Sequence, residues 1–204
     1  MGVCYLVGAG DFYGNIQLHD EDIIIAADGG YDSLLAHGYV PSVLIGDFDS
    51  IISDIPEGIR ILKHPKEKDE TDMFLAYFEG VRLGYSKFVM LGATGGRLDH
   101  TYANLSLLLY AKEHGHNVTV IDEKAKIFCL KNESSTLNGN SGATLSVFAF
   151  GGVANGVTLK GTKYEVEDAT LTTAFPLGVS NEFTDAPAYV SVTDGALLVM
   201  TSIQ

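Results

Sequence analysis

The residues of this chain that could do chemistry are mostly acidic, and they gather where apolar runs end. Asp28 closes the run Ile23–Ala27 and is followed by Gly29-Gly30, while Asp47 and Asp49 follow Val43-Leu44-Ile45 in the phrase Gly46-Asp47-Phe48-Asp49-Ser50. In an open α/β sheet the carboxyl ends of the strands line the ligand crevice. On an extended chain Asp47 and Asp49, two apart, face the same way and could share one hard cation; each could equally cap a turn, as Asp often does. A further acidic group lies in Lys66-Glu67-Lys68-Asp69-Glu70-Thr71-Asp72. Asp69 has the position of a helix N-cap. Asp72 falls in the first helical turn right after the run Ile59–Leu62, so the fold could bring it beside Asp47 and Asp49. Magnesium held by a few carboxylates plus substrate phosphates is a common arrangement in phosphoryl transfer.

The third feature is Gly92-Ala93-Thr94-Gly95-Gly96-Arg97-Leu98-Asp99-His100, between the run Phe88–Leu91 and a helical segment through Leu109. A glycine-rich turn feeding a helix N-terminus offers backbone N–H groups to an anion, and Arg97 adds a planar fork for phosphate oxygens. No Gly-Lys-Ser/Thr ends it, so it is not a P-loop, and a plain strand-to-helix turn reads the same way. A competing phrase, Gly8-Ala9-Gly10-Asp11-Phe12-Tyr13-Gly14, follows the first strand with Asp28 twenty residues beyond Gly8. Its third glycine is one place late and no helical pattern follows, which argues against a dinucleotide site.

These phrases need elements to hold them. Short apolar runs at Val3–Val7, Ile23–Ala27, Val43–Ile45, Ile59–Leu62, Phe88–Leu91 and Val118–Ile121 read as buried parallel strands. Between them, Phe74, Tyr77, Phe78 and Val81 mark one helical stripe, and Leu105, Leu108, Leu109 and Lys112 another. After about Asp122 the helical period disappears. Strand candidates then follow one another at Thr144–Phe150, Val157–Lys160, Ala169–Thr173, Tyr189–Thr193 and Leu197–Thr201, the pattern of a sandwich-like all-β unit. The expected fold is therefore α/β, with a parallel-sheet domain over 1–123 and an all-β sandwich domain over 124–204.

Composition limits the partners. Among 204 residues, 26 Asp+Glu against 13 Lys+Arg give a formal charge of −13, which argues against nucleic acid or a membrane surface as partner. The two cysteines, Cys4 and Cys129, lie in apolar strand-like surroundings and read as core residues. No signal-like opening and no apolar run near the roughly 18 residues of a membrane span is present, so a cytoplasmic setting is expected.

Taken together the phrases are similar to the thiamine pyrophosphokinase (thiamine diphosphokinase) family: Ala27-Asp28-Gly29-Gly30, Gly46 to Ser50, Lys68 to Asp72, Gly95 to His100 and, in the β-rich half, Gly178-Val179-Ser180-Asn181-Glu182-Phe183. The resemblance implies a Rossmann-like α/β domain followed by a β-sandwich, in a homodimer with sites shared between subunits. It implies transfer of the pyrophosphoryl group of ATP to the hydroxyl of thiamine, giving thiamine diphosphate and AMP, with Mg2+ as cofactor. Asp47, Asp49 and Asp72 match the metal-binding acids, Asp28, Asp99 and Arg97 the groups around the reacting atoms, and Thr94, Gly95, Gly96, Arg97, His100 and Lys68 the nucleotide-binding stretch. Ser180 and Asn181 match the thiamine-holding segment. Family members can stack a Trp on thiamine; this chain has none, so Phe183 or Tyr189 is expected to serve. The alternative is a non-catalytic module that senses a nucleotide or thiamine diphosphate on the same fold.

Overall fold

The computed structural model describes residues 2–203. The chain divides into two compact units, one running up to Leu107 and resuming over Gly115–Glu123, the other formed by Leu108–His114 and the chain from Lys124 onward.

In the first unit six strands, β1 (Cys4–Val7), β2 (Ile23–Ala27), β3 (Val43–Gly46), β4 (Arg60–Lys63), β5 (Lys87–Leu91) and β6 (Asn117–Ile121), lie in the order β4-β3-β2-β1-β5-β6. Every pair is parallel; β2 and β3 are buried as their continuously apolar runs predict, whereas β4, expected to be buried, is largely exposed because it is the edge strand and carries Arg60 and Lys63. The chain builds outward from β1 to β4, then returns to place β5 on the other side of β1. That reversal makes the gap beyond the ends of β1 and β5 a switch point, where flanking loops part.

Helices cover both faces. On one, α1 (Gly30–Ala36) buries Tyr31 and Leu34 against Val7, Ile24, Ala26, Leu44 and Leu91. On the other, α2 (Asp72–Arg82) packs against β1, β2 and β3. Its buried face is Met73, Ala76, Tyr77 and Gly80, one step round from the stripe expected through Phe74 and Phe78. The reason is steric: a Cβ on Gly80 would stand 2.6 Å from the Phe88 ring and 3.0 Å from Cys4 Sγ, so the small residues face the sheet and Phe78 turns outward. Thr71, not Asp69, caps this helix, its hydroxyl accepting from Phe74 N at 3.3 Å. A third helix, α3 (Leu98–Glu113), buries Asn104, Leu107, Leu108 and Ala111.

The second unit is built from β7 (Ala125–Lys131), β8 (Ser134–Leu137), β9 (Thr144–Lys160), β10 (Val166–Thr172), β11 (Asn181–Glu182), β12 (Ala188–Ser191) and β13 (Asp194–Ser202). All its pairings are antiparallel. Two strands expected at 144–150 and 157–160 are one. Between them Gly151 and Gly152 hold φ of 74° and 150° and let β9 bend without ending. Its first half pairs with β13 and β11, its second with β10 and β12. Leu145, Val147, Leu159, Leu171, Val190 and Val199 accordingly share one core. Cys4 and Cys129 are buried, and burial pushes both thiols up, Cys129 to about 12.

The first unit buries a charged residue on α2. Glu79 of α2 accepts two bonds from Arg82, both 2.6 Å, and lies 2.8 Å from Arg60 of edge strand β4. Arg82 above all, with Arg60, holds its carboxyl below the usual glutamate range. Both arginines are about half exposed, so solvent screens the cluster and Glu79→Gln should cost only about 1 kcal/mol at pH 7. A carboxyl depressed in the folded state stabilises above its unfolded pKa, and that contribution is lost as the pH falls through the folded one. The gap between wild-type and Glu79→Gln urea midpoints should therefore close as the pH is lowered below the ordinary glutamate value. A gap independent of pH would remove the ion cluster as its cause.

Candidate active site

At the switch point the chain from β1 and the chain from β5 continue side by side past their strands. Gly8 N donates to Leu91 O at 2.9 Å, Gly10 N to Gly92 O at 2.9 Å and Asp11 N to Thr94 O at 3.0 Å. Such close passage needs glycine: a Cβ on Gly10 would lie 2.1 Å from Thr94 O, and one on Gly92, whose φ is 59°, 2.3 Å from Gly8 O. Beside this paired edge opens a cavity of about 350 Å³. Gly8 and Gly10 line it after β1, Asp28 after β2, Asp72 at the start of α2, and Gly92, Gly95, Gly96, Arg97 and His100 after β5. The phrase Gly8 to Gly10, set aside as a dinucleotide motif, is thus part of the wall, a role signalled only by glycines at a strand end.

Asp28 is held in the left-handed region at φ 46°, where a residue other than glycine is uncommon. Its carboxylate accepts from Ser50 Oγ and from Phe48 N at 3.3 Å. Asp47 and Asp49 do not reach each other along an extended chain. Phe48 turns at φ 70°, and Asp49 N donates to Asp47 Oδ1 at 3.0 Å, an Asx turn that folds the two side chains back toward Asp28. One carboxylate oxygen from each of Asp28, Asp47 and Asp49 then lies within 4.8 Å of the others. Three hard oxygen donors in that space suit a hard divalent cation. Asp72 stands apart from this group: its carboxylate takes Lys68 Nζ at 2.6 Å.

Cations already face the acids. Lys66 Nζ bonds Asp49 Oδ2, and this contact more than any other draws the Asp49 carboxyl down. Arg97 grips Asp99 through Nε at 3.1 Å and Nη2 at 2.6 Å, holding that carboxyl below the usual range. Thr94 points its hydroxyl away to Asp122 Oδ2 at 2.6 Å.

In the second unit Ser180 is exposed at φ 57°, with its N–H on Ser146 Oγ at 3.0 Å. Asn181 is 4% exposed. Its Oδ1 accepts from Tyr164 N and Glu182 N, and its Nδ2 donates to Thr162 Oγ1 and Tyr164 O, so the amide is spent within the protein. Phe183 is 3% exposed, its ring set against Gly139 at a cavity that it lines with Asn138 and Asn140. Tyr189 is partly exposed on β12, as are Tyr164 and Phe175 elsewhere in the unit.

The two candidate metal sets are separable by Mn2+ titration without nucleotide. Asp28→Asn and Asp49→Asn should each weaken binding by on the order of tenfold, and Asp72→Asn by less than about twofold. An equal loss in Asp72→Asn would move the metal centre to α2.

Comparison with known proteins matches the chain in two consecutive segments. The family model described as thiamin pyrophosphokinase, catalytic domain, matches residues 16–120, and that described as thiamin pyrophosphokinase, vitamin B1 binding domain, matches residues 129–197. The chain is 29% identical over 191 residues to a thiamine pyrophosphokinase of Bacillus subtilis (strain 168), covering 90% of this chain and 88% of that one. It is 27% identical to thiamin pyrophosphokinase 1 of Caenorhabditis elegans, covering 81% and 73%. Among solved structures, a thiamin pyrophosphokinase family protein from Enterococcus faecalis superposes with a TM-score of 0.85 at 26% identity, covering 98% and 99%. With the matched segments spanning well over half of its length, the chain belongs to the thiamin pyrophosphokinase family.

Proposed function

We infer that the chain transfers the pyrophosphoryl group of ATP to the hydroxyethyl oxygen of thiamine, giving thiamine diphosphate and AMP. The observation that carries the reading is the Asp28, Asp47 and Asp49 group meeting a glycine-lined cavity at the switch point of a parallel sheet. In the balanced step a bond forms between the thiamine oxygen and the β-phosphorus, the bond from that phosphorus to the α,β-bridging oxygen breaks, AMP leaves with that oxygen, and the hydroxyl proton passes to a carboxylate. The protein's part is to position the groups and offset charge.

Residues 1–123 serve on this reading as a Rossmann-like catalytic domain and 124–204 as a β-sandwich that binds thiamine through the Ser180-Asn181 segment. Asp28, Asp47 and Asp49 would hold magnesium, with Asp72 facing the cavity from α2; when bound, the ion offsets triphosphate charge. Gly95, Gly96, Arg97 and His100 receive phosphate oxygens. With Asp28 taken up by the ion, Asp99 is the carboxylate left to take the hydroxyl proton. While Arg97 grips Asp99 that carboxylate is a weak base, and turning Arg97 to the triphosphate leaves it a stronger one. Lys68 and Lys66 supply further positive charge. The charge balance and the lack of a membrane-crossing helix among the described residues support a cytoplasmic setting. The exposed apolar run Phe175, Leu177 and Val179, leading to Ser180, supports pairing of two copies into a homodimer with shared sites.

Incubated with thiamine, ATP and magnesium, the protein should release AMP and thiamine diphosphate in equal amounts; binding without AMP would make it a sensing module. Arg97→Ala should slow turnover by on the order of 10²-fold, and Arg97→Lys should restore only part, because an ammonium cannot reproduce the fork. Wild-type rates in both would reduce the loop to a plain turn.

Mixing inactive Asp49→Asn with inactive Ser180→Ala should restore activity toward about one quarter of wild-type sites under random exchange. No recovery after verified subunit exchange would confine each site to one chain.

A further inference from the structure

The first residues of the loop after β5 are tied down one after another. The carbonyls of Leu91, Gly92 and Thr94 accept from the backbone N–H groups of Gly8, Gly10 and Asp11, and the Ala93 carbonyl accepts from Asn104 Nδ2 at 2.8 Å. Four successive carbonyls are thus turned to protein donors, and none is presented to an anion. Asn104 is 8% exposed, so the Ala93 tie is shielded from water.

The remaining tie is a side chain. Thr94 Oγ1 donates to Asp122 Oδ2 at 2.6 Å, the length of a charge-assisted bond, and Asp122 stands just past the end of β6, the strand beside β5. Among the described residues the cavity wall includes Ala93 and Gly95, on either side, but not Thr94. An ionised phosphate has acceptors only. While Thr94 donates its single hydroxyl hydrogen bond to Asp122, it has none for a phosphate oxygen, and an ionised carboxylate has none to donate. Whatever this pair does for an anion passes through the loop's backbone.

We propose that Asp122 is a positioning residue for the triphosphate: by accepting the Thr94 hydroxyl hydrogen bond it fixes the Gly92–Arg97 loop against β6 in the shape that receives phosphate oxygens. The proposal deepens the reading of the cavity as the ATP site and rests on it. Asp122 touches no substrate. Its effect is to lower the cost of ordering the segment just past Thr94, where Gly95 and Gly96 both hold positive φ, when the anion binds.

The test measures ATP binding directly by calorimetry, together with KM for each substrate. Asp122→Ala and Thr94→Val should each weaken ATP by on the order of tenfold while KM for thiamine stays within about twofold. Asp122→Asn, whose carbonyl still accepts the hydroxyl, and Thr94→Ser, which keeps it, should each recover most of that loss. The Asp122→Ala/Thr94→Val double variant should bind ATP no more weakly than either single one, because both remove the same tie. Wild-type ATP affinity in a folded Asp122→Ala protein overturns the proposal, as do additive losses in the double variant or equal losses for both substrates. If Asp122→Ala does not fold, Thr94→Val against Thr94→Ser decides by the same measure. A wild-type protein that binds no ATP would sink the reading of the cavity itself, whereas unchanged variants of an ATP-binding wild type sink only the role of Asp122.

Discussion

The candidate site depends on one constraint, the close passage of two backbones where β1 and β5 end. Three hydrogen bonds carry the pairing past the strands, and there is no room between them for a Cβ at Gly10 or Gly92. This passage fixes where the loop after β5 begins, hence where Gly95, Gly96 and Arg97 stand. It also makes the cavity, because the chain beyond β2 and β3 is drawn the other way by the reversal in strand order. A side chain at either glycine would force the loops apart and dissolve the wall.

Around that edge the acids are held in costly conformations. Asp28 and Phe48 both occupy the left-handed region, which the surrounding bonds from Ser50 Oγ, Phe48 N and Asp49 N over-determine. Without a cation three carboxylates repel one another, and Lys66 on Asp49 partly offsets this. The same economy runs through the site: Arg97 rests on Asp99 and Lys68 on Asp72, so a strongly acidic chain keeps its scarce cations where a polyphosphate would need them.

The β unit solves a different problem. Asn181 is buried and uses its whole amide to fix Thr162, Tyr164 and Glu182, while Ser180 beside it is exposed on a left-handed turn. In the adjacent pair Ser180-Asn181 one residue thus braces and the other is presented. Sequence alone gives both the same standing, since a polar residue's partners are not written in its neighbours.

The strand runs, the change from alternating α/β to all-β after Asp122, and the phrases with Asp28, Asp47, Asp49, Asp72 and Arg97 were legible because each depends on local spacing. Period and turn chemistry act over a few residues, and the chain states them directly. What the spacing could not state is which distant groups meet. Asp28, rather than Asp72, completes the trio with Asp47 and Asp49, because a left-handed turn at Phe48 redirects the pair and strand β2 lies beside β3. Gly151-Gly152 bends a strand rather than ending one, and Gly80 turns the buried face of α2, because layers packed at van der Waals contact decide which side of an element goes inward. Local pattern determined the elements and the chemistry they carry. Tertiary packing alone decided the partners, since contact across parallel strands joins residues whose separation in sequence carries no record of their distance in space.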